Sequence, residues 1–279
     1  MYLIKFIYFC FLNELVKIFS KMALKILHFD ELNSTNVYLY DKISEKNDIA
    51  DMVVVASHQT AGRGMGKNRW ASEAGKNLLF SIVLNVNFLD AENQFKISQA
   101  VSVAISETLS EIIDNQRVFI KWPNDIYFDD SKLAGMLIQN TIEGKKMGVS
   151  IIGIGLNVNQ IEFSKDIPNP ISLKMITGND YDLDNLLNRL IVKIKEAVES
   201  LRFEQKCEEI NEKYISKSYR FGKWAEYFYH NQVKTMIING FDKYGRLLLR
   251  DKEGAENVCD VKELQFFPPS CRRDSEADV

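Results

Sequence analysis

Between residues 117 and 158 four strand-like runs follow one another: "RVFIKW", "DIYF", "KLAGMLIQNTI" and "KMGVSIIGIGLNV". Only turn signals separate them, at Pro123-Asn124, Asp129-Asp130 and Glu143-Gly144. Short apolar, β-branched or aromatic runs bounded by such turns are the pattern of a sheet. The chain must therefore be organised around one. Helical patterns flank this block. "ENQFKISQAVSVAISETLSEII" carries apolar residues at 97, 100, 101, 104, 105, 109, 112 and 113, which is one core-facing helical stripe. Leu183, Leu186, Leu187, Leu190, Ile194, Ala197, Val198 and Leu201 form another, and "FEQKCEEINEKYISKS" reads as a further helix ending near Tyr219.

On the N-terminal side, "LKILHF" (24–29) suits a strand, and Ser34 or Thr35 offers an N-cap for a helix carrying Val37, Tyr38 and Ile43. "DMVVVASHQ" and "NLLFSIVLNV" have the composition of buried strands. Past Tyr219 the texture changes to short strands, "QVKTMIING", "GRLLLRD" and "ENVCDVKELQFF", joined by tight turns at 242–245 and 252–254. The expectation is an α+β domain over residues 22–218, its mixed sheet flanked by helices. A small all-β barrel follows over 219–268, then a polar tail over 269–279. Trp224 is expected in the barrel core, with a nucleotide contact as the weaker alternative.

The remaining bulk properties exclude more than they assign. Acidic residues number 38 against 35 basic ones, a net charge of −3, so no general electrostatic case for nucleic acid exists. The four cysteines (Cys10, Cys207, Cys259, Cys271) are scattered without a C-x-x-C pair, which fits a reducing cytoplasm. The apolar start, "MYLIKFIYFCFLNELVKIFSK", is broken by Lys5, Glu14 and Lys17 and falls short of a spanning helix. Residues 1–21 read as an extension ahead of the domain, with an interfacial helix as the second reading.

Three stretches could carry chemistry. In "QTAGRGMGKNRW" (59–70) Gly62, Gly64 and Gly66 are laced with Arg63, Lys67 and Arg69. Backbone N–H groups freed by glycine and a guanidinium can together hold an anion. The spacing matches neither the P-loop nor the dinucleotide fingerprint, and a strand follows instead of a helix. Taken alone, the loop reads first as a solvated, mobile β-connection. In "KWPNDIYFDDSKLAG" (121–135) the turn Trp122-Pro123-Asn124-Asp125 sits between two strands. Lys132 precedes a strand containing Gly135. Asp125 could bind metal or accept a proton, although a turn is the plain reading of each residue and core that of Trp122. In "GIGLNVN" (153–159) Gly153 and Gly155 interrupt a buried strand, which calls for something packed closely on them. A flat ligand or a neighbouring helix would satisfy it.

Together with "STN" (34–36), these stretches resemble the biotin protein ligases in order and spacing, over roughly Leu24 to Phe267. The resemblance implies a mixed-sheet catalytic domain followed by a small SH3-like barrel. It implies the reaction of biotin and ATP to biotinyl-5′-AMP and pyrophosphate, with Mg2+ on the phosphates. Transfer to a lysine of a carboxylase biotin carboxyl-carrier domain then follows. Carried over by position, Arg63, Lys132 and Asp125 are expected to be catalytic. Ser34, Thr35, Asn36, Gln59, Arg63, Gly64, Met65, Lys132, Gly135, Gly153 and Gly155 are expected to contact biotin. Arg63, Trp70, Lys121, Asn124, Lys132 and Asn157 are expected at the nucleotide. The glycine-arginine loop is then expected to be a ligand-gated lid. A homodimer is compatible with the resemblance; nucleic-acid and membrane partners are not expected.

Two departures stand out. Met65-Gly66-Lys67-Asn68 is poorer in arginine than many family lids, so retention of the adenylate is expected to be looser. With few residues ahead of Leu24, the helix-turn-helix domain of some relatives, and with it regulation of DNA, is not expected. Lipoate ligases share the fold, but their R-R-x-S-G-G-G motif is missing. A catalytically silent carrier-binding module would be expected to lose Arg63, Lys121 and Lys132, all of which are present. A nucleic-acid-binding module would need a basic stripe with stacking aromatics.

Overall fold

The computed structural model describes residues 24–45, 49–261 and 263–267. The expectations for the extension 1–21 and the tail 269–279 lie outside the described residues.

A seven-stranded mixed sheet carries the fold, in the order β1-β2-β3-β7-β6-β5-β4. Its strands are β1 (Lys25–Leu32), β2 (Met52–Gln59), β3 (Leu78–Asn85), β4 (Val118–Lys121), β5 (Asp125–Phe128), β6 (Ser131–Glu143) and β7 (Lys146–Leu156). Only β1 and β2 pair in parallel. Five helices are described: α1 (Thr35–Ser44), α2 (Phe95–Ser110), α3 (Leu173–Thr177), α4 (Leu183–Ser200) and α5 (Glu204–Lys217). The short α3, within "PNPISLKMITG", was not expected as a helix; Ser172 caps it by accepting from the Met175 N–H.

Strand β3 shows why its sequence lacks polar alternation: Leu78 to Leu84 are all buried, because both faces are covered. Phe80, Ile82 and Leu84 join the main core with Val101, Ile105, Leu190 and Ile194 of α2 and α4. Val83 points the other way, to a smaller core with Leu39 of α1, Val54 and Ile151. The second face is thus only partly roofed, by the single helix α1.

The C-terminal residues form a five-stranded antiparallel sheet, ordered β11-β10-β9-β8-β12. Its strands are β8 (Trp224–Tyr229), β9 (Gln232–Phe241), β10 (Leu247–Asp251), β11 (Glu256–Cys259) and β12 (Leu264–Phe266). Strand β8 was missing from the sequence reading, and Trp224 is not core: it is 48% exposed. Alternation along "WAEYFY" turns Tyr227 and Tyr229 inward and Trp224 outward. The aromatic that does fill this core is Trp122, from the turn between β4 and β5. Its indole N–H donates to the Gly245 carbonyl at 2.7 Å. Phe95, Tyr214 and Phe241 add ring contacts at the same junction.

Candidate active site

The partly roofed face holds a cavity with ≈ 630 Å³ of free space, part of it open to solvent. One register row of the sheet explains its floor. Lys121 pairs with Asp125, Asp125 with Gly135, and Gly135 with Gly155. Residues opposed across a ladder share a face, so two charged residues and two glycines lie side by side from the edge strand inward.

Lys132 reaches this row through an irregularity. Residues 132 and 135 have opposite parity and would point to opposite faces of a regular strand. A register shift between Ile126 and Tyr127 pairs Tyr127 with Lys132 and leaves Leu133 as the extra residue. Leu133 is fully buried in the main core, while Lys132 joins the face of Asp125. Bulges re-aim side chains in this way. The Lys132 Nζ lies 2.7 Å from Asp125 Oδ1, yet that oxygen accepts no aligned hydrogen bond. The pair is ionic by distance, and the carboxylate keeps acceptor capacity. Segment 169–171 holds Lys132 from behind through the bonds from Lys132 N–H to Asn169 O (2.8 Å) and from Ile171 N–H to Lys132 O (3.0 Å).

The two strand glycines are covered by side chains. A Cβ on Gly155 would stand 2.3 Å from the Trp70 indole, and one on Gly153 would stand 2.0 Å from Asn36 Oδ1. An indole and the first turn of α1 therefore fill the space for which a flat ligand or a helix was expected. The Trp70 Nε1 is buried and finds no hydrogen-bond partner among the described residues.

The loop ahead of Trp70 is a small hairpin. Arg63 and Arg69 form a bridge, Gly64 N–H donates to Asn68 O at 2.8 Å, and Trp70 N–H donates to Gly62 O at 3.0 Å. Gly62 is required there, since a Cβ would meet Trp70 O at 2.4 Å. Arg63 and Arg69 are both exposed and line the cavity mouth.

The opposite end is polar and tightly satisfied. Ser34 occupies the N-cap position of α1 but makes no capping bond. The acceptor is Gln59 instead, whose Oε1 takes the Thr35 N–H at 2.8 Å. Ser81, a polar residue within the apolar strand β3, donates to Asn36 Oδ1 at 2.5 Å and lies 2.6 Å from Thr35 Oγ1. Thr35 Oγ1 also lies within donating distance of Gln59 Oε1, at 3.2 Å, so its one proton serves either Ser81 or Gln59. Asn36 Nδ2 donates to Leu137 O (3.1 Å) and Gln139 Oε1 (3.2 Å). Sequence reasoning missed Ser81, although a lone serine in a fully buried strand must find a partner.

Ser34, Thr35, Asn36, Gln59, Arg63, Gly64, Met65, Trp70, Asn124, Asp125, Lys132, Gly135, Gly153 and Gly155 all line this one cavity. Two residues expected at the nucleotide do not. Asn157 is buried, and its amide donates to Ile171 O at 3.0 Å, bracing the segment behind Lys132. Lys121 stands outside the lining, 4.0 Å from Asp125 Oδ2. Burial lowers its pKa, against the opposing pull of Asp125, and burial pushes the neighbouring Tyr127 phenol up to about 12. Among the described residues no three His, Cys, Asp or Glu side chains group as a metal site. No described helix is long and apolar enough to cross a membrane.

The model of the biotin/lipoate A/B protein ligase family matches residues 28–157, a span that contains every cavity-lining residue from Ser34 to Gly155. A bifunctional ligase/repressor of Salmonella typhimurium is 32% identical over 228 residues, 78% of this chain and 67% of that protein. The chain belongs to the biotin protein ligase family. A biotin–[acetyl-CoA-carboxylase] ligase of Mycobacterium tuberculosis is 25% identical over 231 residues, covering 82% of this chain and 80% of the relative. Among solved structures, the biotin protein ligase of Aquifex aeolicus in complex with biotin and ATP superposes with a TM-score of 0.69. It is 29% identical and covers 86% of this chain and 97% of its own. The expected architecture of a biotin protein ligase, a mixed sheet with flanking helices and a small β unit behind it, is the one found.

Proposed function

We propose that this chain activates biotin with ATP to biotinyl-5′-AMP and passes the biotinyl group to one lysine of a carboxylase biotin carboxyl-carrier domain. The carrying observation is that one cavity joins a polar hydroxyl-and-amide end, a lysine–carboxylate pair and a cationic loop at its mouth. Kinship with ligases that use biotin and ATP supports the same reading.

In the first step a biotin carboxylate oxygen attacks the α-phosphorus and pyrophosphate leaves with the electrons of the broken P–O bond. Two anions must meet, so cations are needed at the junction, and Lys132 with Arg63 supply them. Thr35 and Asn36, tied together by Ser81, and Gln59, bonded to Thr35, offer a preorganised polar end for the ureido group, with Ser34 beside them and Gly153 beneath. Trp70 and Asn124 border the nucleotide side. Asn124 is itself held by its 2.5 Å bond to Met136 O. Asp125, between two lysines and outside any acidic cluster, suits proton acceptance better than a metal cage. Mg2+ fits as a companion of the ATP phosphates, which need at most one or two protein carboxylates. The carrier domain is the acceptor, and the cytoplasm the compartment that the cysteine usage favours.

The test is transfer itself. The purified chain with biotin, ATP and an isolated carrier domain is expected to add one biotinyl group to a single carrier lysine, read by intact mass and peptide mapping. An unmodified carrier domain would contradict the proposal.

A further inference from the structure

Of the cations in the site row, Lys121 is the one that does not line the cavity. Its ammonium lies 5.1 Å from the Tyr127 ring centroid and 4.8 Å from that of Phe266. Phe266 belongs to β12, in the C-terminal sheet. The same hairpin is keyed into that sheet a second time, by Trp122. A cation gripped between two rings is held in place without being consumed by a hydrogen bond. The charged and titratable groups that face it are Asp125, Lys132, Arg220 and the Tyr127 phenol.

Asp125 is shared between two lysines, one on each oxygen, Lys132 at 2.7 Å from Oδ1 and Lys121 at 4.0 Å from Oδ2. In the proposed adenylation Lys132 turns to the biotin carboxylate and the α-phosphate. That leaves the buried Asp125 carboxylate without its close partner just when the second step needs it held in place. We propose that Lys121 is a positioning residue for biotin transfer: clamped by Tyr127 and Phe266, it holds Asp125 in place while Lys132 is engaged with ligand. The last described strand of the C-terminal sheet is thereby part of the transfer machinery. In that step the acceptor amine forms a C–N bond to the biotinyl carbonyl, and the C–O bond of the mixed anhydride breaks. AMP leaves with the electron pair, and the surplus amine proton goes to Asp125 and then to water.

This inference rests on the biotin-ligase reading, so the test separates the two half-reactions on the full chain. One assay follows biotin-dependent pyrophosphate release. The other follows transfer from preformed biotinyl-5′-AMP to a carrier domain. Lys121→Met is expected to slow transfer about ten- to a hundredfold more than pyrophosphate release, a fraction of what a full acid–base catalyst supplies. Lys121→Arg restores part of the transfer rate. Phe266→Leu keeps the charge and loosens the clamp, so it moves the ratio of the two rates in the same direction by a smaller factor. Equal losses in both half-reactions for Lys121→Met would overturn the proposal and make Lys121 a nucleotide contact. So would a Lys121→Arg variant as slow in transfer as Lys121→Met, or, should Lys121→Met fail to fold, an unchanged rate ratio in Phe266→Leu. A wild-type chain inactive in both half-reactions would overturn the biotin-ligase reading itself, and with it this role.

Discussion

The Trp70 indole packs onto Gly155 so closely that a Cβ there would stand 2.3 Å from its Cε2 atom. No rotamer change of a methyl relieves such a contact, so either the indole or the strand must move. Overpacking of this kind costs about 1–3 kcal/mol when the structure absorbs it. Here the loop can yield instead, because its cationic residues are exposed. Gly155→Ala is therefore expected to expel Trp70, keep the fold and lower biotin-dependent pyrophosphate release at least about tenfold. A variant with wild-type rates would show that Trp70 need not seat on the sheet.

Ser81 ties Thr35 to Asn36 in the buried end of the cavity. Ser81→Ala removes the donor to Asn36 Oδ1 and leaves Thr35 Oγ1 with Gln59 alone, so the unpaired buried Asn36 oxygen costs about 1–3 kcal/mol. Both partners border the proposed ureido pocket. The expected outcome is a lower thermal midpoint together with a raised KM for biotin and a smaller change in KM for ATP. An equal rise for both substrates would place this network away from biotin.

The strands and long helices were legible because their periodicity answers to burial, as in the stripe of α2 and the unbroken apolar run of β3. The membership of the cavity was legible through the motif stretches. What escaped was set by tertiary register. The bulge that brings Lys132 onto the face of Asp125 depends on how β5 pairs with β6, and no local signal in "SKLAG" marks it. Trp224 was misplaced for a similar reason: alternation in β8 points it to solvent, whereas Trp122, read as core, is delivered to the C-terminal core by the β4–β5 turn. Ser34 takes the N-cap position without a capping bond, and the first helical N–H, that of Thr35, is met instead by Gln59 on β2, 24 residues further along.

The hairpin 62–69 carries three exposed trypsin sites, Arg63, Lys67 and Arg69. Ordering a glycine-rich loop costs about 1–2 kcal/mol per residue fixed, and each charge-assisted bond to an anionic ligand returns about 1.5–3 kcal/mol. The terms are comparable, so ligand should decide the state of the loop. Trypsin is expected to cut here in the free protein and to be blocked by biotin with ATP. Arg63→Gly should weaken the protection and release biotinyl-5′-AMP, labelling bystander lysines. Identical cleavage with and without ligands would remove the lid from the account.

In the proposed reaction this cavity joins biotin to the α-phosphate of ATP under the charge of Lys132. Biotin-dependent pyrophosphate release, measured without any acceptor protein, tests it most directly. The predicted result is one burst per active site with biotin, none with lipoate, and a rate about 10²–10³-fold lower in a folded Lys132→Ala variant. Release that is independent of biotin, equal with lipoate or unchanged in Lys132→Ala would contradict it.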